Sequence, residues 1–117
     1  MKRDPEIIRN ILLALEANEE DPYTLKRIEI EGVPAWLVSY QIELLHGGGF
    51  LHADDATSDE HDWIPTRLTW QGHELLDAIR DDTIWRRTKE KLEKVGGWTV
   101  PILQDVATSI IRQQLAI

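Results

Sequence analysis

Cysteine is absent from this 117-residue chain, which also has one phenylalanine and two tyrosines. Without cysteine there can be no disulfide, thiolate nucleophile, zinc ribbon or iron-sulfur cluster, so a metal would need histidine or carboxylate ligands. No apolar run reaches the length of a membrane span, and residues 1–6 lead into an amphipathic helix pattern instead of a signal-peptide core. We therefore expect a cytoplasmic protein that does not enter a membrane.

Basic residues are missing from the middle of the chain. The formal net charge is -8, from 21 acidic and 13 basic residues, and residues 28–66 contain no lysine or arginine. The eight acids of this segment are Glu29, Glu31, Glu43, Asp54, Asp55, Asp59, Glu60 and Asp62. Without them 13 acids would balance 13 bases, so the whole negative excess lies in the central segment.

Residue spacing predicts helix, strand and helix in the first half of the chain. Asp4 can cap a helix whose first residue is Pro5. Polar and apolar residues alternate over residues 25–31, which predicts a short half-buried strand. A second helix is predicted from Pro34 to about His46, before a run of three glycines.

A hairpin and a strand-to-helix junction are predicted next. Strands at residues 50–53 and 63–68 flank an acidic loop, and Pro65 requires a sheet edge or a bulge because it has no N–H to donate. After the second strand, Thr69 can cap a helix with its hydroxyl, and Gly72 allows that helix to pack closely at its start. This arrangement of elements is typical of a winged helix.

Two more helices are predicted toward the C-terminus, capped by Asp81 and Thr99. The last one carries Ile110, Ile111 and Leu115, more apolar surface than one small core uses, so we expect a homodimer through the C-terminal helices. The fold class is therefore α+β: a winged-helix-like core of helix, strand, helix and two-stranded wing, followed by two or three C-terminal helices. We expect one domain over residues 1–117, with a helical extension from about residue 83.

The sequence resembles a bacterial and phage family, the domain of unknown function 2513, over nearly its full length. The matching stretches are Met1-Lys2-Arg3-Asp4, residues 40–51, residues 67–82, and Trp85 with Lys89. This resemblance implies a phage or mobile-element setting and supplies no catalytic residue. A looser resemblance, through Arg67-Leu68-Thr69 followed by Gly72 and Leu75, is to winged-helix regulators.

The second helix and the acidic loop supply the candidate partner contacts. On the helix, outward positions are expected to hold Trp36, Ser39, Tyr40 and Glu43. The loop candidates are Asp54, Asp55, Asp59, Glu60 and Asp62. Trp36 with Tyr40 one turn later would form an aromatic patch of the kind found at binding hot spots, although Trp36 could instead pack in the core, where most of the five tryptophans are expected.

DNA binding is the alternative that the scaffold suggests, with Ser39, Tyr40 and Arg67 as candidate contacts. Nucleic-acid affinity depends on lysine and arginine, yet this surface has no cation before Arg67, so the charge disfavours DNA. The basic residues between 86 and 94 alternate with Glu90 and Glu93, which predicts a solvated helix face.

No pattern predicts an enzyme. His73-Glu74 resembles half of a zinc-protease motif but lacks the second histidine, and the glycines at 47–49 follow a helix instead of preceding one. We expect no catalytic residue, metal or cofactor. The sequence predicts a non-enzymatic interaction or regulatory protein that binds a protein partner. The alternatives are a DNA-binding transcriptional regulator and an acidic DNA mimic that inhibits a host nucleic-acid-binding protein.

Overall fold

The computed structural model describes residues 3–57 and 61–116 of the chain. The elements are α1 (Pro5–Ala17), α2 (Ala35–Gly47), β1 (Leu51–Asp55), β2 (Trp63–Leu68), α3 (Trp70–Ile79), α4 (Asp82–Glu93) and α5 (Val100–Leu115). Two helices, a two-stranded antiparallel sheet and three helices thus follow one another, which confirms the α+β class and is consistent with a winged-helix-like arrangement. The chain divides into two compact units, Met1–Glu74 and Leu75–Ile117.

The first helix begins as its sequence predicts. The Asp4 carboxylate accepts hydrogen bonds from the backbone N–H groups of Glu6 at 2.9 Å and Ile7 at 3.3 Å, and Pro5 opens the helix. The apolar residues that α1 buries are Ile7, Ile8, Ile11, Leu12 and Leu15. The backbone N–H of Asp4 also donates to Oε1 of buried Gln41 at 3.1 Å, which ties the start of α1 to α2.

The strand predicted at residues 25–31 is wrong. The exposure of its side chains alternates as in a strand, but its one backbone hydrogen bond to β2 runs from Lys26 N to Pro65 O at 2.8 Å. β2 has no backbone N–H donor left for this segment at two positions. Pro65 has no N–H, and the N–H of Trp63 donates to Ser39 Oγ at 2.8 Å. The sheet formed by the described residues therefore has two strands, and no helix lies between α1 and α2.

The hairpin of β1 and β2 contains the expected irregularity. His52 pairs with Arg67 while Ala53 pairs with Pro65, so Thr66 is the extra residue of a β-bulge. The Thr66 hydroxyl donates to the carbonyl of His52 at 3.2 Å and so satisfies an acceptor beside the bulge. Of the two alternatives predicted at Pro65, a sheet edge or a bulge, the structure has a bulge next to that residue.

The strand-to-helix junction also has the predicted geometry. Thr69 Oγ1 accepts a hydrogen bond from Gly72 N at 3.1 Å and donates to Gly49 O at 2.6 Å. Gly72 lies against the carbonyl of Phe50, where no side chain would fit. Thr69 therefore caps α3 and fastens it to the turn after α2.

The second unit is built from capped amphipathic helices, as predicted. Asp81 caps α4 by accepting from Thr83 N at 3.0 Å and Ile84 N at 2.9 Å, and Thr99 caps α5. α4 and α5 pack against each other. Their buried residues are Ile84, Trp85, Thr88, Leu92, Val100, Leu103, Ala107 and Ile110.

Membrane-spanning character is absent from the described helices, since none is both long and apolar enough to cross a bilayer.

Candidate interaction surface

One side of α2 presents aromatic side chains to solvent. Trp36 is 58% exposed, and Tyr40 and Glu43 are partly exposed one and two turns further along. Because positions i, i+4 and i+7 share one side of a helix, these three residues form a continuous strip, which we call the α2 outer face. The residues buried on the other side of α2 include Val38, Ile42 and Leu45.

The tryptophans differ from expectation, because most of them do not lie in the core. Trp85 is 3% exposed, Trp63 and Trp98 are partly exposed, and Trp70 is 76% exposed. Trp70 is an exposed tryptophan that the sequence did not single out, although its position off the apolar spacing of α3 was a usable signal. Its indole N–H donates to the Glu74 carboxylate one turn later, so its polar atom already has a partner.

Ser39 does not face solvent, so its assignment as an outward contact is wrong. It is 7% exposed, and its hydroxyl donates to His61 O at 3.3 Å while accepting from Trp63 N at 2.8 Å. The side of α2 that holds Ser39 packs on the hairpin, and the hydroxyl replaces a strand partner at the edge of β2. Ser39 is therefore a structural residue in this fold, unavailable to a partner protein or a DNA base.

Replacing Ser39 with alanine should lower the free energy of unfolding by about 1–2 kcal/mol, because the N–H of Trp63 would lose its acceptor in a partly buried place. Urea unfolding followed by far-UV circular dichroism measures this change. Ser109→Ala, at an exposed position of α5, is the matched control and should stay within about 0.5 kcal/mol of wild type. Equal midpoints for the two variants would contradict the structural role of Ser39.

The acidic residues of the hairpin fall into bonded and free carboxylates. Asp55 Oδ1 accepts from Thr57 N at 3.1 Å, Thr57 Oγ1 at 2.9 Å and Asp62 N at 3.3 Å, which shapes the turn. The exposed side chain of Asp54 makes no hydrogen bond or salt bridge with any described residue. Asp59 and Glu60 lie outside the described residues. Asp54 is thus the described loop carboxylate that remains available for a partner.

Asp62 is compensated by Arg27, the residue just before the cation-free segment. The guanidinium donates two hydrogen bonds to the carboxylate, at 3.1 and 2.9 Å. These hydrogen bonds are the main reason why the pKa of Asp62 is lowered and the pKa of Arg27 is raised. The side chains are 56% and 30% exposed, so water screens the pair and it contributes little stability. The pair matters for the electrostatics of the surface, because the negative charge of Asp62 is compensated by Arg27.

Arg67, the β2 residue that is the cation of the DNA hypothesis, packs on an aromatic ring. Its guanidinium carbon lies 5.0 Å from the ring centroid of Tyr23, a cation–π contact, and Tyr23 is 77% exposed. Of the three candidate DNA contacts, Ser39 is buried, Arg67 is engaged with Tyr23, and Tyr40 is partly exposed.

A small pocket of about 120 Å³ lies beside the inner side of α2. Its lining includes Arg27, Glu29, Ala35, Ile42, Asp62 and Ile64. Small-molecule sites usually exceed about 300 Å³, so this pocket suits a few water molecules or one small side chain. In the described parts of the chain, no group of three or more His, Asp or Glu residues is placed to hold a metal ion.

Residues 2–98 match the family described as "Hypothetical protein (DUF2513)". The chain is also 41% identical to an uncharacterized protein of Haemophilus influenzae over 118 residues, which covers 99% of this chain and 100% of that protein. No solved structure matches the chain. The matched range contains the α2 outer face, the hairpin and the junction at Thr69. The chain therefore belongs to the DUF2513 family, as its sequence resemblance predicted.

Proposed function

We propose that this protein is a non-enzymatic cytoplasmic interaction module of phage or mobile-element type, which binds a protein partner through the α2 outer face. The exposure of Trp36 carries this proposal. A tryptophan that is 58% exposed leaves a large apolar surface in water, and a partner pocket that covers it gains the free energy of its burial. Tryptophan and tyrosine are also the residues enriched at the energetic centres of interfaces.

The charge around this strip favours a protein over a nucleic acid. α2 contains no lysine or arginine, and its outer face carries the acidic Glu43, so a phosphate backbone would be repelled. We expect a partner with an apolar pocket for Trp36 and a basic rim. Phosphate mimicry has weaker support, because Asp55 and Asp62 are already engaged within the chain.

The test is a comparison of two exposed tryptophans in the full chain. Trp36→Ala should raise the Kd for the partner by about 30-fold, the change expected for a hot spot of roughly 2 kcal/mol, and so reduce its recovery from an extract of the native cells. Trp70→Ala, which removes a more exposed tryptophan outside the α2 outer face, should leave recovery unchanged. Thermal unfolding of both variants checks that the fold is intact.

Asp54→Asn tests the free carboxylate of the hairpin, which we expect to meet the basic rim of the partner. The substitution should weaken capture mainly at low salt, since exposed charges are screened at high salt. If Trp36→Ala captures the same proteins in the same amounts as wild type, the α2 outer face is not the binding surface. Salt-dependent duplex binding that Arg67→Ala abolishes would replace this proposal with DNA recognition.

A further inference from the structure

The backbone of residues 27–30 lies outside the helices and strands and is nearly free of hydrogen bonds. Among the described residues, the N–H groups of Arg27, Ile28, Glu29 and Ile30 find no acceptor, and the carbonyls of the first three accept no bond. The Ile30 carbonyl alone is used, by Val33 N at 3.1 Å. Arg27 and Glu29 are exposed whereas Ile28 and Ile30 are partly buried. This alternation of side-chain exposure is that of an extended strand, although the segment lacks the hydrogen bonds of a paired strand.

The direction of the free groups follows from Lys26. Its N–H points to β2, where it bonds the Pro65 carbonyl. In an extended chain the N–H and C=O groups of one residue point to one edge and those of the next residue to the other. The free groups of Arg27 and Glu29 therefore lie on the edge away from β2, and such an unpaired edge is a template for another strand.

We propose that a second copy of this chain pairs with this edge, antiparallel and about a two-fold axis at Ile28. Arg27 of each copy then lies opposite Glu29 of the other, so the opposite-charge pair forms twice. Arg27 and Glu29 are also the residues whose backbone groups point outward, and the same register joins the two edges by four backbone hydrogen bonds. The segment is thus self-complementary in both charge and hydrogen bonding.

Among the described residues Glu29 is unbonded, and Arg27 keeps unused donors beside its pair with Asp62. Glu29 makes no hydrogen bond or salt bridge with the described residues. The two bonds from Arg27 to Asp62 use two of the five guanidinium N–H donors, which leaves three for Glu29 of the second copy. The interface is small, so association is expected at high protein concentration and should weaken with salt.

Sedimentation equilibrium of the full chain, from micromolar to millimolar concentration, tests the proposal. Glu29→Arg places arginines opposite each other, and Arg27→Glu places glutamates opposite each other; each variant alone should dimerise at least about tenfold more weakly than wild type. An equimolar mixture of the two should recover dimers, because every arginine then faces a glutamate. Glu31→Arg, the same charge change at an exposed residue outside the pairs, should behave as wild type.

Three results would overturn the proposal. The first is a wild-type chain that stays monomeric at millimolar concentration, and the second is equal association of Glu29→Arg and Glu31→Arg. The third is association that ignores Glu29→Arg but is lost in Leu115→Arg, which would assign the dimer to the C-terminal helix, where Leu115 is 80% exposed. If Arg27→Glu fails to fold because it loses the pair with Asp62, the comparison of Glu29→Arg with Glu31→Arg alone tests the proposal.

Discussion

Gly72→Ala will lower the free energy of unfolding by about 3 kcal/mol or more, because α3 begins in contact with the backbone of the preceding turn. A Cβ atom at residue 72 would lie 1.9 Å from the Phe50 carbonyl oxygen and 3.0 Å from its carbon. That oxygen cannot simply move away, since it accepts the hydrogen bond from Thr69 N at 3.1 Å. Either the helix start must shift or this bond must break, and urea unfolding measures the cost.

The sign of the change in stability distinguishes the clash with Phe50 from the effect of helix propensity. Alanine is the better helix former by about 1 kcal/mol, so in open space the substitution would stabilise α3. Gly97→Ala is the control, since a Cβ there would meet nothing within 4 Å, and it should change stability by no more than about 0.5 kcal/mol. A Gly72→Ala protein as stable as wild type would show that the contact with Phe50 does not constrain the junction.

The junction could be predicted from the sequence because the residues that determine it are close together in the chain. A threonine before a helix supplies the cap, and a glycine three residues later supplies the space; both needs lie within one helical turn. The same holds for Asp4, Asp81 and Thr99, whose caps are all present. Helical spacing likewise identified the buried sides of α1 and α4, where apolar residues are confined to one face.

The errors concern partners distant in sequence. Residues 25–31 have a strand pattern, but a strand also needs a free edge, and Pro65 together with Ser39 leaves β2 without one. The sequence around Ser39 did not indicate that its hydroxyl accepts the hydrogen bond of a β2 residue, since Trp63 is 24 positions away. Arg27 and Asp62 are 35 positions apart, so the acidic segment looked uncompensated. Local propensity does not encode these contacts.

The exposure of Trp36 was equally undecidable from sequence. Apolar residues occur on all sides of α2, in the sequence Ala35-Trp36-Leu37-Val38 and again at Leu44-Leu45, so spacing does not select a single buried face. The structure resolves the question through packing: the side with Val38 and Ile42 is buried, and Trp36 remains on the α2 outer face.

Trp85→Ala will destabilise the unit Leu75–Ile117 by about 3–5 kcal/mol. The indole is 3% exposed on the buried side of α4, and its removal leaves a cavity there. The substitution also removes the ring beneath Lys89, whose Nζ lies 5.5 Å from the ring centroid. Trp70→Ala, at a 76% exposed position, is the size-matched control and should stay within about 0.5–1 kcal/mol of wild type.

Calorimetry of Trp85→Ala also tests the prediction of one domain over residues 1–117. If the two units unfold together, a single transition will move to lower temperature as a whole, because cooperative unfolding spreads a local loss over the entire domain. If they unfold separately, the transition of Leu75–Ile117 will move while that of Met1–Glu74 stays in place. A transition unchanged by Trp85→Ala would contradict the packing of α4, since no other tryptophan of the chain is so deeply buried.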